Sequence, residues 1–164
     1  EIMAEAKRRG VITTLDVFAS TSADLPKVER LLPYTDYFIP SEEEAQAPSG
    51  LHENTDLTQF LLDRGAACVI LTLGAQGAFY SHRDGTQFHT PSFLVQVKCT
   101  CGCGDCFNGG FATGLHLGLT PKECVELAQA SSAQNATGLG SQAGVRDLAH
   151  TREFIARTPH RSND

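Results

Sequence analysis

The chain has 164 residues, of which 41% are hydrophobic and 20% charged, and its formal net charge is −6. This length suffices for one domain with a real core and is short for two, so residues 1–164 are predicted to form a single domain. The acidic balance argues against a nucleic-acid partner, which would need a basic surface, and no apolar run approaches the ~18 residues of a membrane span.

The first half of the sequence alternates between helical and strand patterns. A helical pattern already runs at Glu1, so we expect the natural chain to be longer at its N-terminus. The segment 67–73 is almost continuously apolar, which is typical of a parallel sheet covered on both faces. This alternation predicts an α/β fold with a mostly parallel sheet. The predicted strands are 11–15, 37–39 and 67–73, and the predicted helices are 1–9, 27–32, 56–64 and one opening at 41–44.

The second half predicts short antiparallel strands and then helices. Residues 77–80, 87–89 and 93–97 have strand patterns around a turn at 83–85. A helix is predicted from Asp105 to about Leu117. Another helix begins with Thr120, Pro121 and Glu123, the spacing of a capping box with proline at the first helical position, and runs to Gly138.

Residues 102–105 read G-C-G-D and lead directly into a predicted helix. A glycine-rich turn at a helix N-terminus presents backbone N–H groups and the positive end of the helix dipole, an arrangement that suits phosphate. Asp105 is then either a helix cap or a catalytic base, and the residues alone leave both interpretations open.

The order of three segments carries a resemblance to a known family. Residues 99–111 read C-T-C-G-C-G-D-C-F-N-G-G-F, and Thr72, Gly74 and Gly77 form T-x-G-x-x-G at the end of the clearest strand, where open α/β sheets bind ligands. Residues 41–44 follow another strand and read S-E-E-E. This pattern resembles the ribokinase-like (pfkB-type) carbohydrate kinases, in their C-terminal portion.

The resemblance implies a three-layer α/β/α fold and ATP-dependent phosphorylation of a sugar or sugar-like alcohol with Mg²⁺. It implies that Asp105 is the general base and that the N–H groups of Gly102, Cys103 and Gly104 form an anion hole. The family's N-terminal half and lid have no counterpart here, so we expect uncovered sheet edge and self-association or a homo-oligomer. The resemblance places nucleotide contacts on Thr72, Gly74, Gly77, Asn108, Gln129, Ser132 and Ala133, and a metal contact on Glu44.

Three positions depart from the family pattern, and one of them, Cys103 in place of alanine, should matter little because the anion hole uses backbone groups. Ser41 replaces the asparagine of N-x-x-E, so Ser41 and Glu44 also fit a purely structural capping box. Cys99 replaces an aspartate linked to a monovalent cation, and a thiol is a poor ligand for a hard cation, so potassium activation is not expected. Asp16, after the first strand, fits either a phosphate site or an ordinary strand end.

The cysteines leave a rival hypothesis. Four of the six lie between positions 99 and 106, too close together to cross-link distant elements, so a reducing cytoplasm is expected. The pair Cys103 and Cys106 has the spacing of metal ligands, although no second pair follows at a zinc-ribbon distance. The alternative to an enzyme is a nucleotide-binding or interaction module without turnover.

Overall fold

The structure, a computed structural model, describes residues 1–17 and 21–162. These residues form two compact units, one of residues 1–17, 21–73 and 79–89 and the other of residues 74–78 and 90–162. The prediction of a single domain is not tested by this division and stays a prediction. The described helices are α1 (Ile2–Arg8), α2 (Leu25–Glu29), α3 (Glu42–Ser49), α4 (Asn54–Leu62), α5 (Cys103–His116), α6 (Pro121–Ala136) and α7 (Leu148–Arg157). The described strands are β1 (Thr14–Leu15), β2 (Tyr37–Phe38), β3 (Cys68–Thr72), β4 (Ala78–His82) and β5 (Gln87–Thr90).

The sheet runs in the order β1-β2-β3-β4-β5, and β1, β2 and β3 are parallel neighbours. Thr14 stands opposite Tyr37, which in turn stands opposite Cys68. Val69 and Leu71 of β3 are fully buried in one core cluster with Leu57 of α4, and burying each such side chain contributes about 1.5–3 kcal/mol. The predicted α/β fold with its parallel strands is therefore confirmed.

The first strand is shorter than the predicted 11–15. The N–H of Val11 donates to Ala6 O at 3.0 Å, so this residue closes α1 and does not join the sheet. Gly10 has a φ of 71°, a left-handed conformation that suits glycine at a helix end. Pairing begins only after Thr13, whose N–H and hydroxyl both donate to Asp36.

Two glycines let α5 and α6 approach closely. A Cβ added at Gly110 would lie 2.7 Å from Ser131 Oγ and 2.8 Å from Ala128 Cα. One turn further along α5, a Cβ at Gly114 would lie 2.9 Å from Cys124 Cα. Both glycines are buried, and overpacking of this kind costs about 1–3 kcal/mol. One glycine of the signature, Gly110, therefore serves helix packing.

Other parts of the second unit both confirm and correct the sequence predictions. Thr120 and Glu123 form the predicted capping box of α6. The predicted strand 93–97 is wrong: only Phe93 forms an isolated bridge, with His160, while Leu94 and Val97 are about half exposed. The helix α7 was not predicted. Among the described residues, no helix has the length and apolar character needed to cross a membrane.

Candidate functional site

The turn before α5 depends on a left-handed glycine in a crowded place. Gly102 is the N-cap of α5, with a φ of 72° and a ψ of 8°. A Cβ at this position would lie 2.6 Å from both Cβ and O of Ser141. Conformation and close approach therefore both require glycine here. The N-cap has no side chain to close the helix end.

The backbone N–H groups of this turn fall into two classes. Cys103 N–H donates to Thr100 O at 3.1 Å, so this predicted member of the anion hole already has an acceptor. The N–H of Cys106 makes the first helical bond, to Gly102 O at 2.9 Å. Within residues 1–17 and 21–162, no acceptor faces the N–H groups of Gly104 and Asp105. Two helix donors therefore remain available at the positive end of the α5 dipole.

Asp105 occupies the third helical position, and its side chain is exposed. None of the described residues donates a hydrogen bond to its carboxylate. The N-cap glycine cannot accept a bond from the Asp105 N–H, as a serine or threonine would. The local geometry therefore does not show Asp105 acting as a helix cap. Its carboxylate bonds to none of the N–H groups at the helix start.

A buried side-chain amide bonds to the backbone just before the turn, and no local sequence pattern indicated it. Asn135 of α6 is fully buried, and its Nδ2 donates to Cys101 O at 2.7 Å. Next to it, Ala136 O accepts from Lys98 N at 2.8 Å and Cys99 N at 3.3 Å. The C-terminal end of α6 thereby fixes the chain that enters the glycine turn. An asparagine within a run of small residues resembles ordinary helix packing, which is why sequence reasoning missed it.

Three of the other residues predicted to contact the nucleotide, all on α5 or α6, form hydrogen bonds within the protein. Gln129 is only 5% exposed, and its Nε2 donates to Thr90 O at 3.2 Å. Ser132 and Ala133 are partly exposed, and Ser132 O accepts from the Cys103 thiol at 3.6 Å. Asn108 Nδ2 donates to Gly104 O at 3.1 Å, one turn back along α5. Gln129 thus ties α6 to the segment after β5, whereas Ser132 and Ala133 stay open to solvent.

The two glycines that follow Thr72 differ in what surrounds them. Gly74 is exposed, has a φ of 55° and has open space where a Cβ would stand. Gly77 is buried, and a Cβ there would lie 2.0 Å from Thr90 O. The backbone packing at residue 90 therefore accounts for Gly77, while Gly74 leaves room for a ligand.

In the first unit, predicted residues follow the carboxyl ends of the parallel strands. Asp16 comes directly after β1, and Thr72 ends β3. Ser41 follows β2 and pairs with Thr72 in a parallel bridge. Ser41 N donates to Glu44 Oε2 at 2.8 Å, and Glu44 N donates to Ser41 Oγ at 3.3 Å, so the structure contains the capping box. A contact of Glu44 with a metal stays a prediction.

The thiols near the turn do not form a metal centre in the described part of the chain. No group of three or more His, Cys, Asp or Glu side chains there is arranged to hold a metal ion. The thiols of Cys103 and Cys106 point instead to backbone carbonyls, Ser132 O and Ser141 O. Burial raises the pKa of Cys106, with a smaller contribution from the charges of Cys103 and Asp105, so its thiolate is disfavoured.

Known proteins are similar to this chain in sequence. The profile of the pfkB family carbohydrate kinases matches residues 1–148. A ribokinase from Haemophilus influenzae is 33% identical over 132 residues, or 77% of this chain and 43% of that protein. An ATP-dependent 6-phosphofructokinase from Thermoanaerobacterium thermosaccharolyticum is 35% identical over 122 residues, or 74% of this chain and 37% of that protein.

Solved structures give the same result for the fold. The structure of a candidate ribokinase II from E. coli, in complex with ATP and Mg²⁺, superposes with a TM-score of 0.83 at 28% identity. The superposition covers 94% of this chain and 52% of that one. The chain thus spans about half or less of the length of the relatives it matches. Since the family profile matches nearly all of it, the chain belongs to the pfkB family of carbohydrate kinases.

Proposed function

We propose that this chain provides the phosphate-binding turn and the general base of an enzyme that transfers a phosphoryl group from ATP to a sugar hydroxyl. The observation that carries the proposal is the N-terminus of α5. There, the exposed Asp105 carboxylate has no hydrogen-bond donor, and the N–H groups of Gly104 and Asp105 have no acceptor among the described residues. The relatives include a ribokinase and a 6-phosphofructokinase, so we propose a sugar or sugar phosphate as the acceptor class.

The chemistry assigned to these groups is acid–base and electrostatic. Asp105 accepts the proton of the acceptor hydroxyl while that oxygen attacks phosphorus, and such a base contributes about 10²–10⁴ in rate. The N–H groups of Gly102, Gly104 and Asp105 stabilise negative charge on the transferred group. Cys103 N–H is bonded to Thr100 O, so the proposed anion hole uses its neighbours in the turn.

The residues present fit a nucleotide with its magnesium ion. ATP supplies the phosphoryl group, and Mg²⁺ neutralises charge on the phosphates. Donors without acceptors and the open space beside Gly104 and Gly74 suit the approach of phosphate to the backbone. Magnesium commonly binds through one or two carboxylates and the phosphates, and the Glu44 carboxylate is the proposed protein contact.

Gly104→Ala tests the phosphate-binding turn directly. In the folded chain nothing lies within 4 Å of a Cβ at Gly104. The variant should therefore fold at least as stably, gaining up to about 0.5–1 kcal/mol from the lower helix propensity of glycine. A methyl group beside the Gly104 N–H should hinder phosphate and weaken MgATP binding by about tenfold, or ~1.4 kcal/mol. Calorimetric titration with MgATP and urea unfolding measure the two effects.

Gly109→Ala is the matched control, because Gly109 also lies in α5 with open space at its Cβ. This variant should gain similar stability and keep the wild-type affinity for MgATP. Equal affinities in the two variants, or no nucleotide binding by the wild-type chain, would contradict the proposed role of the turn.

A further inference from the structure

The four cysteines around the glycine turn divide into two pairs by their hydrogen-bond partners. Cys103 Sγ lies 3.6 Å from Ser132 O and accepts from Asn135 Nδ2 at 3.5 Å, and Cys106 Sγ lies 3.5 Å from Ser141 O. Cys99 and Cys101 instead interact with each other: Cys101 N–H donates to Cys99 Sγ at 3.4 Å. The first pair is thus held to the backbone, whereas the second is a facing dithiol.

The surroundings of the dithiol favour a thiolate at one sulfur. The N–H of Gly140, the N–H of Cys101 and the thiol of Cys101 all donate to Cys99, and together they lower the pKa of Cys99. The same thiol–thiol bond raises the pKa of Cys101, which keeps its proton. Cys101 is exposed and Cys99 is partly exposed. A nucleophilic thiolate with a protonated thiol beside it, both open to solvent, is the arrangement of an oxidisable pair.

We propose that Cys99 and Cys101 are a site of reversible oxidation that forms an intrachain disulfide upon reaction with hydrogen peroxide. The Cys99 thiolate attacks one peroxide oxygen, an S–O bond forms, the O–O bond breaks, and the departing hydroxide takes up a proton to become water. The Cys101 sulfur then attacks the Cys99 sulfur, the S–S bond forms, and the S–O bond breaks. The hydroxyl leaves as a second water with the Cys101 proton. The two sulfurs lose two electrons in total, and the peroxide is reduced to two waters.

The disulfide would act on the backbone that supports the turn. Thr100, enclosed by the new ring, provides the carbonyl that accepts from Cys103 N–H. The Cys101 carbonyl accepts from the buried Asn135 amide at 2.7 Å. Closing a ring over residues 99–101 changes the torsion angles on which both bonds depend, so oxidation should weaken nucleotide binding at the turn. This consequence, unlike the disulfide itself, rests on the proposed function.

Peptide mass spectrometry of the full chain tests whether Cys99 and Cys101 form a disulfide. Trypsin should release residues 99–122, since Lys98 and Lys122 bound the segment. After peroxide treatment and alkylation of the remaining thiols, the Cys103→Ser/Cys106→Ser double variant contains only the proposed pair in this peptide. We expect the peptide to be two hydrogen atoms lighter, to carry no alkyl group, and to recover two alkyl groups if it is reduced first.

Added serine variants and fragment ions of the wild-type peptide test the assignment of the disulfide to Cys99 and Cys101. The same double variant with Cys99→Ser or Cys101→Ser added should form no intrachain disulfide. If the double variant folds poorly, fragment ions of the wild-type peptide that break between residues 102 and 103 should place the bond in the first three residues. Two alkylated cysteines at 99 and 101, their conversion to sulfinic acid, or a bond between Cys103 and Cys106 would overturn the proposal.

A separate measurement tests the consequence for the turn. MgATP affinity of the oxidised chain should be about tenfold lower than that of the reduced chain, or ~1.4 kcal/mol. Equal affinities would overturn the link between the disulfide and the turn. A reduced chain that does not bind MgATP would contradict the proposed function, while the mass measurement would still decide whether the disulfide forms.

Discussion

The helices α5 and α6 both carry an acidic residue at their third position, and they use it in opposite ways. In α6, the Glu123 carboxylate accepts from Thr120 N at 2.8 Å and from Thr120 Oγ1 at 2.6 Å. In α5, the corresponding acid is Asp105, and the N-cap is a left-handed glycine. No described residue donates to the Asp105 carboxylate.

The difference shows how a helix start becomes available for chemistry. A threonine N-cap and a glutamate at the third position satisfy each other, so the start of α6 is closed. At the start of α5, glycine stands where α6 has threonine, so the side-chain partner is missing. Among the described residues, the Asp105 carboxylate then has no donor, and the N–H groups of Gly104 and Asp105 have no acceptor. Such unused polar groups at a helix start are a cost to folding that is consistent with a functional site.

Asp105→Asn is expected to have the largest effect among the variants that test this difference between the two helix starts. If the open carboxylate is the base, kcat for phosphoryl transfer should fall by about 10²–10⁴-fold, whereas MgATP affinity should stay within about threefold, because the base acts on the acceptor hydroxyl. Phosphoryl transfer from MgATP to a panel of sugars, by the chain alone and together with the N-terminal half of a related sugar kinase, measures the effect.

Glu123→Gln is the matched control, since it makes the acid-to-amide change at the third position of α6. Its kcat should equal that of the wild type within experimental error. If Asp105→Asn keeps most of the activity, the carboxylate is not the base, and the difference between the two helix starts has another cause.

The start of α6 was predicted in position and in detail, whereas α5 begins at Cys103, two residues before its predicted start at Asp105. The capping box of α6 depends on residues three positions apart, and so does that of α3, so a local pattern suffices to find them. The open start of α5 depends on Ser141, which excludes a side chain at Gly102. A contact between residues so far apart in the chain has no local signature.

Two errors elsewhere have different origins. Residues 93–97 alternate like a strand, but Phe93 pairs only through an isolated bridge with His160, on whose ring its own ring stacks with 4.3 Å between the centroids. The helix α7 does have a local signal, an Asp147 N-cap that accepts from His150 N at 2.8 Å. The helix buries Thr151 and half-buries Leu148 and Phe154 at helical spacing, so its pattern was detectable and the prediction missed it.

Gly102→Ala, at the N-cap of α5, is expected to have an intermediate effect on stability and on MgATP binding. The added methyl group meets both a left-handed φ and the contact at 2.6 Å with Ser141. Together these should lower the free energy of unfolding by about 1–3 kcal/mol and weaken MgATP binding. Urea unfolding and calorimetric titration are the measurements.

The control for this variant is Gly118→Ala, at the other end of α5. Gly118 has a φ of 69°, close to that of Gly102, but nothing lies within 4 Å of its Cβ. It should lose only the conformational cost of the left-handed region, about 1 kcal/mol, and keep its nucleotide affinity. Equal losses of stability in both variants would show that contact with Ser141 is not what requires glycine at the cap.

The smallest effect is the pH dependence of the closed helix start. Hydrogen bonds from the Thr120 hydroxyl, and then from its N–H, hold the pKa of Glu123 below its ordinary value of 4.5. A carboxyl group with a lowered folded-state pKa contributes stability that is fully present above its unfolded-state pKa and is lost as the pH falls through the folded-state pKa. The wild type should therefore be more stable than Glu123→Gln at neutral pH, and the difference should shrink as the pH falls below about 4.5.

Thr120→Ala removes the hydroxyl donor and should flatten the same part of the curve of stability against pH. Urea unfolding of the three proteins between neutral and acidic pH measures the effect, and parallel curves for wild type and Glu123→Gln would mean that the bonded acid at α6 contributes no more to folding than the unbonded acid at α5.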